Sequence, residues 1–100
     1  KFPMKHLHTH PGQIIGDELK ALGLSKNGLA KALGTDASRI GEIVGKRRGV
    51  SADMAIRLAE YFGGAPDLWL TMQARHDLSV IEASKGNNIR RQVRKPTVAA

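Results

Sequence analysis

A chain of 100 residues, 41% of them hydrophobic, can enclose one core and is too short for two ordinary domains. With no cysteine it can form neither a disulfide framework nor a thiolate zinc site, so the core must supply the stability and a reducing, cytoplasmic setting is expected. The net charge of +7 points to a polyanionic partner, and its distribution sharpens the point: residues 25–50 carry +4 and residues 85–100 carry +5, whereas residues 51–84 between them carry −3. No apolar run approaches the roughly 20 residues of a membrane span. Lys1-Phe2-Pro3-Met4 is followed by His and Thr instead of a signal-peptide apolar stretch, so a soluble, unexported chain with no membrane partner is expected.

Residues 1–9 read as an N-terminal extension. The first helix is predicted from Ile15, Leu19 and Leu22, spaced i, i+4, i+7, opened by His10-Pro11-Gly12 and closed at Gly23. Ser25 is a good N-cap for a short second helix whose buried face is Leu29, Ala30 and Leu33 and which stops at Gly34. The polar cluster Thr35 to Ser38 caps a third, in which Ile40, Ile43 and Val44 point one way and Arg39 and Glu42 the other, ending at Gly45. Lys46 to Val50 is a basic loop with Gly49 as its turn residue. Ser51 then caps a fourth helix, with Asp53 in its first turn and Met54, Leu58 and Phe62 as its stripe, ending at Gly63-Gly64. Pro66 and Asp67 open a last helix that is expected to run to about Ser84. Lys85 to Ala100 has few apolar residues and no periodicity, and is expected to be a mobile basic tail unless a partner orders it. The fold class is all-α with five helices: a single domain over residues 10–84 flanked by the extension and the 85–100 tail.

Two short helices joined by a tight turn, with Ala30 and Gly34 four apart, meet a steric requirement. The first helix needs a small residue where the second crosses it, and the turn needs a residue that tolerates positive φ. Leu29, Leu33, Ile40 and Ile43 then share a buried face, which leaves Asp36, Ala37, Ser38, Arg39 and Glu42 on the outer side of the third helix. A plain helical hairpin is the bland alternative. In a helix-turn-helix the N-terminal residues of the second helix lie near the base edges, here Thr35, Asp36, Ser38 and Arg39. The fork of Arg39 can pair with guanine O6 and N7, and Ser38 can reach a base or a phosphate. Ala37 and Gly41 present no polar group, so much of the affinity is expected from the phosphate backbone, through Lys46, Arg47 and Arg48. One such helix makes an interface of only about 600–1,000 Å², so two copies on a palindromic operator are expected. Leu68, Trp69, Leu70 and Met72 are the candidate dimerisation residues, since three successive large apolar side chains cannot all face one core. The competing reading has Trp69 closing the monomer core.

Leu29-Ala30-Lys31-Ala32-Leu33-Gly34, Ser38-Arg39-Ile40, Glu42-Ile43, Gly45-Lys46-Arg47, the run Ser51 to Ala59 and Tyr61-Phe62-Gly63 together resemble the HigA-type antitoxins of the Cro/phage-repressor-like (XRE) helix-turn-helix family. His10-Pro11-Gly12 with Ile15, and Pro66-Asp67-Leu68-Trp69-Leu70 with Met72-Gln73 and Asp77-Leu78, strengthen the resemblance, which covers residues 10 to about 82. It implies a lambda-repressor-like domain and a dimeric repressor of its own operon that binds a HigB-like ribonuclease toxin. It also implies DNA contacts at Ser38, Arg39, Lys46 and Arg47. The alternative is a solitary phage-repressor-like regulator without a toxin.

Other constellations carry less. His6, His8 and His10 alternate and on an extended segment could hold a metal, but no carboxylate or cysteine lies suitably close, so neither metal nor cofactor is expected. Asp17 and Glu18, as helix neighbours, point about 100° apart and read as solvated carboxylates. A nuclease using His76 or the N-terminal histidines would need convergent groups that the spacing does not supply, so no enzyme is expected.

Overall fold

A computed structural model of the chain describes residues 8–97. Among them are five helices and no strand: α1 (Pro11–Leu22), α2 (Lys26–Leu33), α3 (Ala37–Val44), α4 (Ala52–Phe62) and α5 (Pro66–Gln92). The predicted caps Ser25 and Ser51 accept the Gly28 and Met54 N–H groups at 2.9 and 3.2 Å, each hydroxyl cap contributing about 1 kcal/mol. An unforeseen cap opens α1, where the His10 Nδ1 accepts the Gly12 N–H at 2.9 Å and Pro11 occupies the first turn. Helices α1 and α2 end alike. Gly23 and Gly34 turn left-handed, at φ 64° and 72°, and the following N–H groups of Leu24 and Thr35 reach back 2.9 Å to the Leu19 and Ala30 carbonyls.

The core joins Ile15 of α1, Leu29 and Leu33 of α2, Ile40 and Ile43 of α3, Met54 and Leu58 of α4, and Trp69 and Met72 of α5. Ile14 and Leu19 complete the buried face of α1, while Leu22, expected there, is exposed. Ala30 is buried on the core face of α2 with Leu29 and Leu33. A close approach at Gly12 fixes where α3 sits: a Cβ there would overlap the Ile43 carbonyl oxygen, so only glycine lets α1 start against the end of α3. Arg57 of α4 donates from Nη1 to the Leu33 and Gly34 carbonyls at 2.8 and 3.1 Å, which braces the turn between α2 and α3.

Two expectations need correction. Trp69 and Met72 are 0% and 1% exposed, inside the monomer core with the Phe62 ring centroid 6.0 Å from that of Trp69, so neither has surface to offer a second chain. Leu70 is exposed and Leu68 half-buried. The last helix also passes Ser84 and continues to Gln92. Its weakest stretch, Lys85-Gly86-Asn87-Asn88, is bridged by an ion pair between Glu82 and Arg90. The two side chains close over Gly86, where a Cβ would collide with the Glu82 carboxylate. Among the described residues no helix is long and apolar enough to cross a membrane.

Candidate nucleic-acid interface

Helix α3 begins one residue later than a cap at Thr35 would place it. Asp36 is the cap: its Oδ1 accepts the Arg39 N–H at 2.9 Å and the Ser38 hydroxyl at 2.7 Å. These two hydrogen bonds, with Arg39 and Arg48 nearby, hold the Asp36 carboxyl below its ordinary pKa and keep it ionised. Asp36 and Ser38, both expected to face DNA, are thus already engaged with each other. Ser38 retains acceptor capacity after giving its proton to Asp36. Thr35, half-buried, belongs to the turn.

Arg39 differs from its neighbours. It is half-buried, and its Nε is enclosed with no hydrogen-bond partner among the described residues. Its charge helps to lower the pKa of both Asp36, at the start of α3, and Asp53, at the start of α4. A buried donor without a partner costs about 1–3 kcal/mol.

The basic loop departs from expectation in its turn residue. Gly49 does not take a positive φ; Lys46 does, at 63°. Helix α3 closes with the same backbone bonds as α1 and α2, Arg47 N–H to the Glu42 carbonyl at 2.9 Å and Lys46 N–H to the Ile43 carbonyl at 3.0 Å. A lysine therefore stands where the two preceding helices have glycine. Gly49 instead lets the loop lie close to α5, since a Cβ there would stand 3.0 Å from Cδ of Gln73. The Gln73 Oε1 accepts the Val50 N–H at 3.0 Å, a role that sequence spacing did not reveal.

The three adjacent cations are not equivalent. Arg48 donates from Nε to Glu42 at 2.5 Å, so its charge is offset within the protein. Lys46 and Arg47 are exposed and have no acidic partner within salt-bridge distance among the described residues. Behind them a cavity of about 390 Å³ separates the loop from α5, lined by His10, Gln73, His76 and Asp77 as well as the cations. His10 and His76 meet edge to face with centroids 5.0 Å apart. Burial, and then the His76 charge, hold the His10 pKa below 6.5, consistent with an Nδ1 that must stay unprotonated to cap α1. Of the alternating histidines, His6 lies outside the described residues and His8 is exposed. No group of three metal-ligating side chains comes together among the described residues.

Known proteins share the helix-turn-helix fold that carries these residues. A helix-turn-helix family profile matches residues 15–69. The chain is 52% identical over 77 residues to virulence-associated protein I of Dichelobacter nodosus, covering 76% of this chain and 71% of that one. Among solved structures it is similar to an addiction module antidote protein of a HigA family from Coxiella burnetii, with 36% identity, a TM-score of 0.81, and 89% and 98% of the two chains covered. It is likewise similar to the Pseudomonas aeruginosa antitoxin HigA solved with the higBA promoter, with 37% identity, a TM-score of 0.79, and 91% and 99% covered.

Proposed function

The chain belongs to the XRE-type helix-turn-helix family, whose members are DNA-binding regulators and not enzymes, and we propose that it is the antitoxin of a type II toxin–antitoxin pair that represses its own operon. The observation that carries the DNA half is Arg39. Its enclosed, unpartnered Nε stands in the first turn of an eight-residue helix whose other end leads into the unneutralised Lys46 and Arg47. Arg39 reads a base in the major groove, Lys46 and Arg47 grip phosphates, and Ser38 accepts a hydrogen bond from a base or sits at a phosphate. Asp36 and Thr35 shape the entry of α3, and Arg48 contributes less than its neighbours because Glu42 offsets it. The P. aeruginosa relative, solved with promoter DNA, supports this use of the fold.

The repressor acts as a homodimer on a palindromic operator in the bacterial cytoplasm. With Trp69 and Met72 inside the core, pairing falls to the exposed face of α5. At about 100° per residue, Leu70, Leu78, Ile81 and Ile89 share one side of that helix, and all four are exposed. Half-buried Leu68 lies at its margin. The toxin is a HigB-like ribonuclease, a reading that rests on similarity to antitoxins of the HigA type. One experiment tests the whole: purify the tagged chain from its native operon, identify any small protein that comes with it, and titrate the complex on the upstream DNA. A co-purifying basic ribonuclease supports the antitoxin. A chain that binds the upstream DNA but brings no partner is a solitary regulator instead.

A further inference from the structure

Gln73 lies on α5, 34 positions after Arg39, yet its side chain is only 9% exposed and both ends of its amide are occupied. The oxygen accepts the Val50 N–H at 3.0 Å, and the nitrogen donates to Asp77 Oδ1, also at 3.0 Å. Asp77, one turn along, thereby fixes which way the amide points, since a flipped amide would set its NH₂ against the Val50 N–H. Gly49 lies against the face of this amide. The loop that carries Lys46 and Arg47 is thus pinned at both ends: upstream by the closing hydrogen bonds of α3, downstream by one side chain of α5.

We propose that Gln73 is the positioning residue of the DNA grip, setting where Lys46 and Arg47 stand while touching no DNA itself. The inference rests on the DNA-binding reading above. Its consequence is a physical link: α5 is the helix whose exposed face is available to another chain, and a change in its seating reaches the basic loop through Gln73.

Two variants test this. Gln73→Met keeps length and volume and removes both hydrogen bonds. Gln73→Glu combined with Asp77→Asn exchanges donor and acceptor between the two positions and keeps both bonds, with no change in net charge. Each is titrated against a 30-base-pair duplex from immediately upstream of the chain's own coding sequence and against a random duplex of equal length, while amide hydrogen exchange is followed without DNA. Gln73→Met should weaken binding to the upstream duplex by about tenfold, the equivalent of one lost buried hydrogen bond. It should also speed exchange at Val50 while core amides such as Leu58 stay protected. The double variant should bind within about twofold of wild type and restore protection at Val50. Wild-type affinity in Gln73→Met, or a double variant that stays protected in its core but binds as poorly as Gln73→Met, overturns the proposal. If wild-type protein binds neither duplex, the DNA reading fails by itself, and unchanged Val50 exchange in Gln73→Met separately removes the positioning role.

Discussion

Replacing Lys46 by glycine should make the fold more stable and the DNA complex weaker. Lys46 sits at φ 63°, where a side chain's Cβ crowds the following carbonyl at a cost of about 1–2 kcal/mol. Glycine removes that cost but gives back about 0.5–1 kcal/mol through the larger freedom of the unfolded chain, leaving a net gain of about 0.5–1 kcal/mol. For a domain of this size such a gain raises Tm by roughly 2–8 °C. Against this, each lost phosphate contact removes about 0.9 from the slope of log K against log salt, which is about eightfold in affinity at 0.1 M per half-site. Urea unfolding and fluorescence-anisotropy titrations at several salt concentrations separate the two effects. Lys46→Ala is the control, since it keeps the strain and loses the charge: its affinity should fall as in the glycine variant, with no gain in stability. A glycine variant less stable than Lys46→Ala would refute the strain argument, and an unchanged salt slope would remove Lys46 from the phosphate contacts.

Arg39→Ala should relax preference at one base pair per half-site by about 1–3 kcal/mol, read by competition between single-substituted duplexes; unaltered preference would move the reading head elsewhere. Gly12→Ala puts a Cβ into the Ile43 carbonyl and should destabilise by about 1–3 kcal/mol in urea unfolding. Gly41→Ala, which meets nothing within 4 Å, should instead stabilise α3 by up to about 1 kcal/mol in the same assay. His10→Asn should flatten the acid limb of stability. Because the folded protein holds His10 below 6.5, the unfolded chain takes up that proton first as the pH falls. The contribution is therefore fully present above about pH 6.5 and is lost as the pH drops from there through the lowered folded value. Asparagine can cap α1 without titrating. Thermal melts between pH 7 and pH 5 should show a smaller fall for the variant than for wild type.

The helix-turn-helix was legible because its determinants are local. Leu29, Leu33, Ile40 and Ile43 recur at helical spacing, and Gly34 marks a left-handed turn that glycine adopts without strain. What was not legible depended on direction or on distance. Leu68, Trp69 and Leu70 span about 200° of helix surface, so spacing alone leaves open which of them faces inward; the structure chooses Trp69, where Phe62 meets it. The apolar pattern does not carry α5 past Ser84, since Lys85 to Ala100 has few apolar residues and no periodicity, but Glu82 and Arg90 join across the bare Gly86. Lys46 gives no sign of its positive φ, since lysine rarely adopts it and only the pattern of closing bonds on three successive helices exposes it. Gln73 to Val50 spans 23 positions and links residues with no common period.

Under the proposed function, few groups on α3 remain to supply base specificity. Each α3 has eight residues, and within it Ala37 and Gly41 offer no polar group, Ser38 has already donated to Asp36, and Glu42 is committed to Arg48. On the proposed reading, that leaves the Arg39 fork as the main donor to a base edge. One bidentate pair supplies about 1–3 kcal/mol of discrimination, whereas specific sites stand about 4–10 kcal/mol above non-specific DNA. If the domain pairs through α5 as proposed, the direct readings double and their spacing is fixed, and the remainder would come from how the operator bends to reach Lys46 and Arg47 on both sides. In such a dimer the orientation of α5 relative to the basic loop would matter as much as Arg39, because it would set the distance over which two grips must meet one duplex.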